Sequence, residues 1–585
     1  MPRKPIAPVL DRRHLLGGMA ATAALGTGSA LAGSARATWV RPGEAGWPAA
    51  GEWASLGRAV GDRLAPGGLP EPVAEQLLHN PYYIRDQPGL TQSSGRIDGW
   101  RSSPSAYVVR ARHAGDVAAA VRFAARHRVR LVVKGGGHSY LGGSTAPDSL
   151  LVWTRDMESI TLHDALVPID TGAAPVAAVS VGAGCVWQDV YDAVTTKAGR
   201  YVQGGGCATV GVAGLVQGGG FGSLSKGYGL AAASLIEAEI VTADGTVRTV
   251  NAARDPDLFW ALKGGGGGSW GVVTRLTLRT HRLPDTVGAV RWQVTARSDG
   301  AFRALIARFV DLYADTLMNP HWGEQVSARP GNRFEVSMLF QGLDADTARG
   351  AWSPLGDWVA ARPDDYGIDQ PLSIVALPAR HLWDGDFLQA NAPEAIRWDD
   401  RPGIAPRRWW WAGDGAEAGA FWHGYESAWL PASLLASPAG RDRLVDAWVA
   451  AGRLWRTSFH FNKGLAGASP DTLAASRATA MNPQVLDAFA LAIIAMNGPS
   501  AYGSGPPPDA AEARDHLARI RLAMTELRRA APDAGSYVSE CDYALADWQR
   551  ACWGGHYRRL AAIKARYDPG GLFVVHHGVG SVRDG

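Results

Sequence analysis

Four glycine runs constrain this 585-residue chain more than any other feature of its sequence. They are GGGH at 135–138, GGGC at 204–207, GGGFG at 218–222 and GGGGG at 264–268. Such runs let backbone N–H groups approach an anion or a flat ring without an obstructing side chain. The first run follows the apolar strand candidate RLVVK and is itself followed by a histidine. The runs together predict a ligand held against bare backbone, although an ordinary loop glycine is the alternative for any single run.

One G-x-G-x-x-G pattern is present, at Gly266, Gly268 and Gly271. A dinucleotide-binding fingerprint follows a strand and opens a helix. This pattern instead follows the helix candidate DPDLFWALK and opens the strand candidate GVVTRLTLRTH. Nicotinamide binding of the usual kind is therefore disfavoured.

The mixture of helix and strand patterns predicts an α+β chain with two domains. AGDVAAAVRFAARH, residues 114–127, places Val117, Val121 and Ala124 on one helical face. Asp244-Gly245 lies between two β-rich runs, which predicts a hairpin. From about residue 283 the sequence pattern changes and indicates long helical segments and strands such as RFEVSMLFQ. We expect residues 283–534 to form a second α+β domain, an antiparallel sheet covered by helices.

The first 37 residues have the layout of an export signal. Arg12-Arg13 precede a weakly apolar stretch that ends at Ala35-Arg36-Ala37, an A-x-A cleavage pattern. The arginine pair resembles a twin-arginine signal, which the export machinery of that name recognises. Asp11 stands where such signals usually have Ser or Thr, and an ordinary secretory signal or a retained anchor is the alternative. We expect cleavage after Ala37 and a secreted or periplasmic protein.

The charge balance disfavours a nucleic-acid or membrane partner for the mature chain. Residues 1–37 carry five basic residues and one acidic residue, which leaves 53 basic and 54 acidic residues of the totals of 58 and 55. No basic patch suggests nucleic acid, and the apolar stretch ALAIIAM is too short to span a membrane. No metal is expected, since the four cysteines have no metal-ligand spacing. Cys541 and Cys552 are either a disulfide or two buried thiols.

Taken together, the glycine-rich motifs resemble the berberine bridge enzyme-like FAD-linked oxidases of the wider vanillyl-alcohol oxidase group, which have a two-domain PCMH-type FAD-binding fold. The resemblance covers the chain from about residue 80 to its end. It rests on four motifs in order: KGGGHSY (134–140), GGGCATVGVAGLVQGGGFGSLSKGYGLAA (204–232), WALKGGGGGSWGVVT (260–274) and YDPGGLF (567–573). It implies that residues 38–282 bind FAD, that 283–534 bind substrate, and that 535–585 return to the FAD domain.

The resemblance also implies how the cofactor is held. His138 matches the residue that bonds to the flavin 8α carbon, and Cys207 matches the one that bonds to flavin C6, so bicovalent FAD is expected, with attachment through His138 alone as the alternative. Around the pyrophosphate we expect Gly135, Gly136, Gly137, Ser139 and Tyr140. Along the ribityl chain and ring we expect Gly211, Gly214, Gly218, Gly219 and Gly220. Val210 matches the oxygen-gating position, where a small apolar residue goes with O₂ as electron acceptor.

For catalysis, GSYVSECD matches a segment that contributes a tyrosine base, here Tyr537; Ser539 stands where the family has Asn. By resemblance, Tyr537 takes the proton from a carbinol or hemiacetal O–H while hydride passes to flavin N5, and O₂ then becomes H₂O₂. Because a free tyrosine has a pKa of about 10, Tyr537 would need a nearby positive charge or the flavin to act as a base. A buried structural tyrosine is the alternative.

The substrate is less constrained. Secretion and a Trp-rich second domain favour sugars, whose rings suit Trp faces, over alcohols or polycyclic secondary metabolites. Candidate lining residues, with core packing or a surface turn as the alternative for each, are Trp409, Trp410, Trp411, Trp422, Tyr425, His460, Asn462 and Lys463. Two other functions stay open: a dehydrogenase that uses another acceptor, and a carbohydrate-binding protein with a vestigial flavin site.

Overall fold

The structure, a computed structural model, describes residues 39–71, 73–404 and 407–581. The predicted export signal and its cleavage site therefore lie outside the described residues. Within them the chain forms 21 strands and 16 α-helices. The strands are β1 (Leu64–Pro66), β2 (Ser93–Arg96), β3 (Tyr107–Arg110), β4 (Arg130–Lys134), β5 (Ser149–Trp153), β6 (Ile160–Leu166), β7 (Val176–Gly182), β8 (Arg200–Tyr201), β9 (Leu235–Val241), β10 (Val247–Asn251), β11 (Val272–Arg279), β12 (His281–Arg282), β13 (Thr286–Ala296), β14 (Trp322–Arg329), β15 (Arg333–Gln341), β16 (Tyr366–Pro378), β17 (Ile396–Trp398), β18 (Trp409–Trp411), β19 (Ala420–Pro431), β20 (Thr457–His460) and β21 (Ala488–Gly498).

The helices alternate with these strands, which confirms the α+β class expected from the sequence. They are α1 (Ala50–Ala59), α2 (Pro81–Arg85), α3 (Ala114–His127), α4 (Trp187–Tyr191), α5 (Val212–Gln217), α6 (Ser225–Tyr228), α7 (Pro256–Leu262), α8 (Asp299–Leu312), α9 (Ala345–Ala360), α10 (Gly385–Asn391), α11 (Pro438–Leu454), α12 (Pro470–Arg477), α13 (Gln484–Asp487), α14 (Ala510–Ala530), α15 (Trp548–Trp553) and α16 (Tyr557–Tyr567).

A four-stranded sheet of order β1-β3-β5-β4 carries the first glycine run. Strands β3, β5 and β4 are parallel, and β1 is antiparallel at the edge. Helix α3 connects β3 to β4 and buries the predicted face of Val117, Val121 and Ala124. The glycine run begins where β4 ends. Loops at the carboxyl ends of parallel strands are common ligand sites in open sheets.

Strands that follow β5 along the chain form a five-stranded antiparallel sheet of order β10-β9-β11-β7-β6. The hairpin predicted at Asp244-Gly245 joins β9 to β10: Gly245 has φ +74°, and an Asp244 oxygen accepts a hydrogen bond from the Thr246 N–H at 3.0 Å. The G-x-G-x-x-G pattern follows α7 and leads into β11, as expected, so it has no dinucleotide-binding context.

An eight-stranded sheet of order β16-β13-β15-β14-β20-β21-β19-β2 dominates the second half of the chain. Its strand pairs are antiparallel except for β19 with β2, which is parallel. Residues of α8, α9, α11 and α14 form one apolar core with residues of this sheet. The apolar stretch ALAIIAM belongs to β21. Among the described residues, no helix has both the length and the apolar character that a membrane span needs.

Two segments cross the domain boundary that the sequence places at residue 282. Strand β2 precedes the first glycine run in sequence but completes the eight-stranded sheet. The hairpin of β17 and β18, by contrast, follows the boundary in sequence. It packs into the core of the four-stranded and five-stranded sheets, where Trp409 joins Trp383 and Tyr191. Chain connectivity therefore does not separate the two halves as cleanly as composition suggests.

Candidate active site

The loop after β4 presents backbone donors to one side. Gly137 has φ +78°, a conformation that glycine adopts without strain. Among the described residues, none of the N–H groups of residues 136–140 donates a recorded hydrogen bond. Ser139 Oγ accepts a hydrogen bond from the Gly143 N–H at 3.0 Å, which folds the loop back on itself. A row of unpaired N–H groups at a turn suits an anion such as a pyrophosphate.

The first two glycines of the second run are required by close packing. A side chain at Gly204 would meet the Trp187 ring at 2.2 Å, and one at Gly205 would meet Leu215 at 2.7 Å. Gly206, by contrast, has no atom within 4 Å of a Cβ built on it, and Cys207 follows it with its side chain partly exposed. The first two glycines therefore seat the loop on α4, and only the third opens space next to the thiol.

The His138 and Cys207 loops touch each other through glycine. A Cβ on Gly136 would lie 2.5 Å from the Thr209 carbonyl oxygen, and one on Gly211 would lie 2.8 Å from the Gly136 nitrogen. His138 Nε2 is 2.9 Å from Thr209 Oγ1, two residues past Cys207. Burial lowers the pKa of His138 to about 4, so its imidazole is neutral at neutral pH. The imidazole and the thiol are thus brought to one place from two distant parts of the sequence.

This contact predicts the result of Gly136→Ala. Its methyl group would collide with backbone atoms of Thr209 and Gly211, and overpacking of this kind typically costs about 1–3 kcal/mol. We expect a lower thermal midpoint and less flavin retained after acid precipitation. Gly300→Ala, at an α8 position with no neighbour closer than 4.0 Å, is the matched control and should leave both unchanged. A wild-type midpoint for Gly136→Ala would show that the loops are not in contact.

An acidic residue lies directly against Cys207. The turn Ala412–Ala416 follows β18, and Asp414 Oδ2 accepts a hydrogen bond from the Ala208 N–H at 3.1 Å. The Asp414 carboxyl also interacts with the Cys207 thiol. The negative charge of Asp414, then burial, raise the pKa of Cys207 well above its usual value. Burial raises the pKa of Asp414 to about 7.

The third glycine run lies against the proposed base. A Cβ on Gly218 would meet Ser539 Oγ at 2.7 Å and Tyr537 Oη at 3.4 Å. Gly219 and Gly220 have positive φ and pack against Met481 and Leu215. Gly214, one turn earlier in α5, faces open space. Gly214 thus leaves room for a ligand, whereas the glycines at 219 and 220 are required by packing.

Tyr537 is buried, and its hydroxyl hydrogen-bonds with the Gly220 backbone and the Ser539 side chain. The Ser539 substitution therefore keeps a polar partner for this phenol. Burial raises the pKa of Tyr537 above its usual value, and the charge of Glu540 raises it further. The Lys463 ammonium binds Glu540 Oε1 at 2.6 Å and is not among the groups that shift the pKa of Tyr537.

A cluster of aromatic rings lies near Cys207. Tyr140 stacks on Tyr425 with ring centroids 4.8 Å apart and meets Trp422 edge-on at the same distance. Tyr140 Oη donates to Glu417 Oε2 at 3.2 Å. Burial is the main cause that raises the pKa of Glu417. We call the group of side chains that interact electrostatically around Cys207, Tyr425 and Tyr537 the cleft, and define it by Tyr140, Cys207, Asp414, Glu417, Tyr425, Lys463, Tyr537 and Glu540.

The other candidate substrate residues lie elsewhere or have structural partners. Trp409 and Trp410 are buried, and Trp409 meets Trp411 edge-on at 4.9 Å, so this strand packs in the core. Asn462 is buried and donates to the Gly222 carbonyl at 3.1 Å, which ties the third glycine run to the large sheet. His460 ends β20, and burial lowers its pKa well below the usual value.

Three cleft residues were missed by sequence reasoning: Asp414, Glu417 and Glu540. Asp414 and Glu417 follow the triple tryptophan in a short turn with no local pattern, and only the packing of that hairpin brings them to Cys207. Glu540 lies three residues after Tyr537, in the segment GSYVSECD. Among residues 39–71, 73–404 and 407–581, no group of three or more His, Cys, Asp or Glu side chains has the arrangement of a metal site.

Family models match two parts of the chain that meet in this site. Residues 104–251 match an FAD binding domain, and residues 536–580 match the berberine and berberine-like domain. The VAO-type flavoprotein oxidase VAO615 of Thermothelomyces thermophilus is 27% identical over 93% of this chain and 92% of its own length. The FAD-linked oxidoreductase malF of Malbranchea aurantiaca is 29% identical over 93% and 92%. The chain is an FAD-linked oxidoreductase with a berberine-like domain over residues 536–580.

Solved structures agree on the fold of this FAD-linked oxidoreductase. MtVAO615 from Myceliophthora thermophila C1, solved at pH 5.0, matches with a TM-score of 0.74 and 25% identity over 93% of this chain and 97% of that one. Glucooligosaccharide oxidase from Acremonium strictum, described with a 6-S-cysteinyl, 8α-N1-histidyl FAD, matches with a TM-score of 0.64 and 20% identity over 90% and 99%. At that identity the second match concerns the fold alone.

The residues of this FAD-linked oxidoreductase fit the cofactor. The unpaired N–H groups of residues 136–140 suit the pyrophosphate. Bare backbone at Gly206 and Gly214 leaves room for a planar ring beside His138 and Cys207. The 136–140 loop, Gly206 and Gly214 are therefore the groups that would hold FAD. Of the predicted glycines, Gly136, Gly211, Gly219 and Gly220 have a packing reason of their own.

Proposed function

We propose that the chain is a secreted FAD-dependent oxidase that holds its flavin covalently through His138 and Cys207. Its substrate is a carbinol or hemiacetal, such as the reducing end of a sugar or oligosaccharide, and O₂ is converted to H₂O₂. The observation that carries the proposal is the direct contact of the two glycine loops, which sets the His138 imidazole 2.9 Å from a residue two positions after Cys207. Two nucleophilic side chains beside bare backbone are the arrangement that attachment at two ring positions requires.

The chain's own part in the reaction is to hold the substrate hydroxyl and take its proton. A bound flavin supplies the hydride acceptor and the route of electrons to O₂. Tyr537 is the proposed proton acceptor, since its oxygen is held at Gly218 by Ser539 and the Gly220 backbone. Because burial raises the pKa of Tyr537, only the small phenolate fraction can take up the substrate proton at neutral pH, and that fraction grows as the pH rises.

The cleft supports a sugar-like substrate. Tyr140, Trp422 and Tyr425 supply aromatic surface, and Glu417, Lys463 and Glu540 supply charged groups for hydroxyls. Aromatic surface combined with a few placed polar groups is the usual composition of a small-molecule site. Carbohydrate oxidases are also among the proteins of this fold, including one from Microdochium nivale at 20% identity.

Two further features support the proposals that O₂ is the electron acceptor and that the protein is exported. Val210 is small and apolar, as expected of an oxygen-gating position, and its carbonyl accepts a hydrogen bond from the Trp187 N–H at 3.1 Å that fixes it beside the Cys207 loop. The twin-arginine-like segment at residues 12–13 supports export of the folded, cofactor-loaded protein.

The proposal is tested with purified holoprotein and a panel of reducing oligosaccharides, primary alcohols and polycyclic alcohols. We expect at least one sugar to bleach the flavin absorbance anaerobically, and an air pulse to restore it with one H₂O₂ per flavin. Bleaching that air does not reverse would identify a dehydrogenase. A sugar that binds without any bleaching would identify a binding protein with an inert flavin.

A further inference from the structure

The Asp414 carboxyl has two partners, and both belong to the Cys207 loop. One oxygen accepts the Ala208 N–H at 3.1 Å, which holds the carboxyl next to Cys207, and the carboxyl also interacts with the Cys207 thiol. Its backbone is fixed as well, since the Asp414 carbonyl accepts the Glu417 N–H at 3.2 Å. One contact to its carboxyl and one to its backbone therefore fix Asp414 next to Cys207.

The charges around this pair keep the proton on sulfur. Glu417 adds negative charge to the pair, and Lys463 offsets it only partly because Lys463 is bound to Glu540. The pKa of Cys207 is therefore well above its usual value, while that of Asp414 is about 7. Near neutral pH the pair holds a thiol beside a carboxyl that is ionised about half of the time. A thiol is a poor nucleophile until it loses its proton.

We infer that Asp414 is the base that removes the Cys207 proton as the sulfur bonds to flavin C6. The inference rests on the proposed double attachment and adds the group that makes it chemically possible. The S–H and C6–H bonds break and an S–C6 bond forms. The thiol proton goes to Asp414, the ring proton goes to solvent, and the two electrons pass through the flavin to O₂, which takes up two protons and leaves as H₂O₂.

His138 needs no such partner, and this contrast supports the assignment. Its pKa of about 4 makes the imidazole neutral and nucleophilic at neutral pH. A base whose pKa lies near the working pH is the most effective kind, and Asp414 meets that condition without stabilising a free thiolate. The sequence thus supplies one nucleophile ready for bonding and one that must be deprotonated in place.

Asp414→Asn tests the inference, because the amide oxygen can still accept the Ala208 N–H but cannot take up a proton. Holoprotein is denatured, treated with iodoacetamide and digested, and the Cys207 and His138 peptides are identified by mass. In wild type we expect both sites to be joined to flavin and Cys207 to be closed to alkylation. In Asp414→Asn we expect flavin on His138 and nearly complete alkylation of Cys207.

Glu417→Gln is the matched control, since it removes a neighbouring carboxylate that has no hydrogen bond to the thiol; its Cys207 should stay joined to flavin. Asp414→Glu keeps a carboxylate and should restore part of the attachment. Wild-type attachment at Cys207 in Asp414→Asn would overturn the inference, as would loss of flavin from His138, which would show a role in shaping the whole site. An alkylated Cys207 in wild type would instead overturn the double attachment itself.

Discussion

The variant His138→Ala/Cys207→Ala releases all of its flavin when it is precipitated with trichloroacetic acid, whereas each single variant keeps the colour in the pellet. Acid unfolds the protein and removes every non-covalent contact, so only a bond to a side chain retains the cofactor. The structure brings the loops of both nucleophiles into contact, and the His138 imidazole lies 2.9 Å from the Thr209 hydroxyl of the Cys207 loop. Flavin absorbance in pellet and supernatant gives the result directly.

Cys185→Ala is the matched control for this experiment. Cys185 is fully buried, and its thiol donates to the Ser159 carbonyl at 3.5 Å, so the change removes a thiol without touching the cleft. We expect full retention of flavin in its pellet. A coloured pellet from the double variant would mean that a third residue is bonded to the flavin, and a colourless pellet from wild type would mean that none is.

Tyr537→Phe slows anaerobic flavin reduction by about 10²–10⁴-fold, the usual contribution of a positioned acid or base, and leaves reoxidation by O₂ nearly unchanged. The change removes only the oxygen that lies between Gly218, Gly220 and Ser539. Because the pKa of Tyr537 is raised, the fraction of phenolate grows with pH beyond the usual tyrosine range. The wild-type reduction rate should therefore still rise above pH 10, and Tyr537→Phe should remove this rise.

Stopped-flow measurement of the two half-reactions distinguishes this role from a structural one. Tyr313→Phe removes another buried phenol oxygen, which donates to the Phe489 carbonyl at 3.3 Å in the helix-covered core, and should alter neither half-reaction. Glu417→Gln provides the competing assignment, because that carboxyl also faces the cleft. If Glu417→Gln abolishes flavin reduction and Tyr537→Phe does not, the proton acceptor is Glu417.

Local patterns were sufficient for much of the fold. Helix α3 has the bounds that its apolar spacing and flanking residues indicate, and the Asp244-Gly245 turn joins the two strands expected. These elements depend on neighbours within a few residues, which is the range over which periodicity and turn chemistry act. Helix α4 is less regular, since it continues as a wider turn over Asp192–Lys197 before the positive φ of Gly199.

The candidate site depends on contacts between distant residues, which local sequence patterns do not predict. The glycine runs point to His138 and Cys207 in the sequence. Gly136 and Gly211, however, must be glycine because their backbones contact each other, and residues so far apart do not fall within one sequence window. Asp414 is placed by the packing of the β17–β18 hairpin, and the tryptophans that suggested a sugar surface turn out to anchor that hairpin. Long-range packing decides such roles, and composition alone does not reveal it.

Strand β2 has a consequence for how the molecule is made. It leaves the ribosome early, but β19, the strand it pairs with, is synthesised much later, and the core of the cofactor side is completed only by Leu572, Phe573 and Val579 near the last described residue. The eight-stranded sheet cannot close before β19 and β21 are made, and the core of the other two sheets cannot be completed before residues 572–579 are made. Non-local pairings of this kind slow folding and leave an edge exposed to aggregation, so the nascent chain is expected to need chaperone protection until residues 572–579 have emerged.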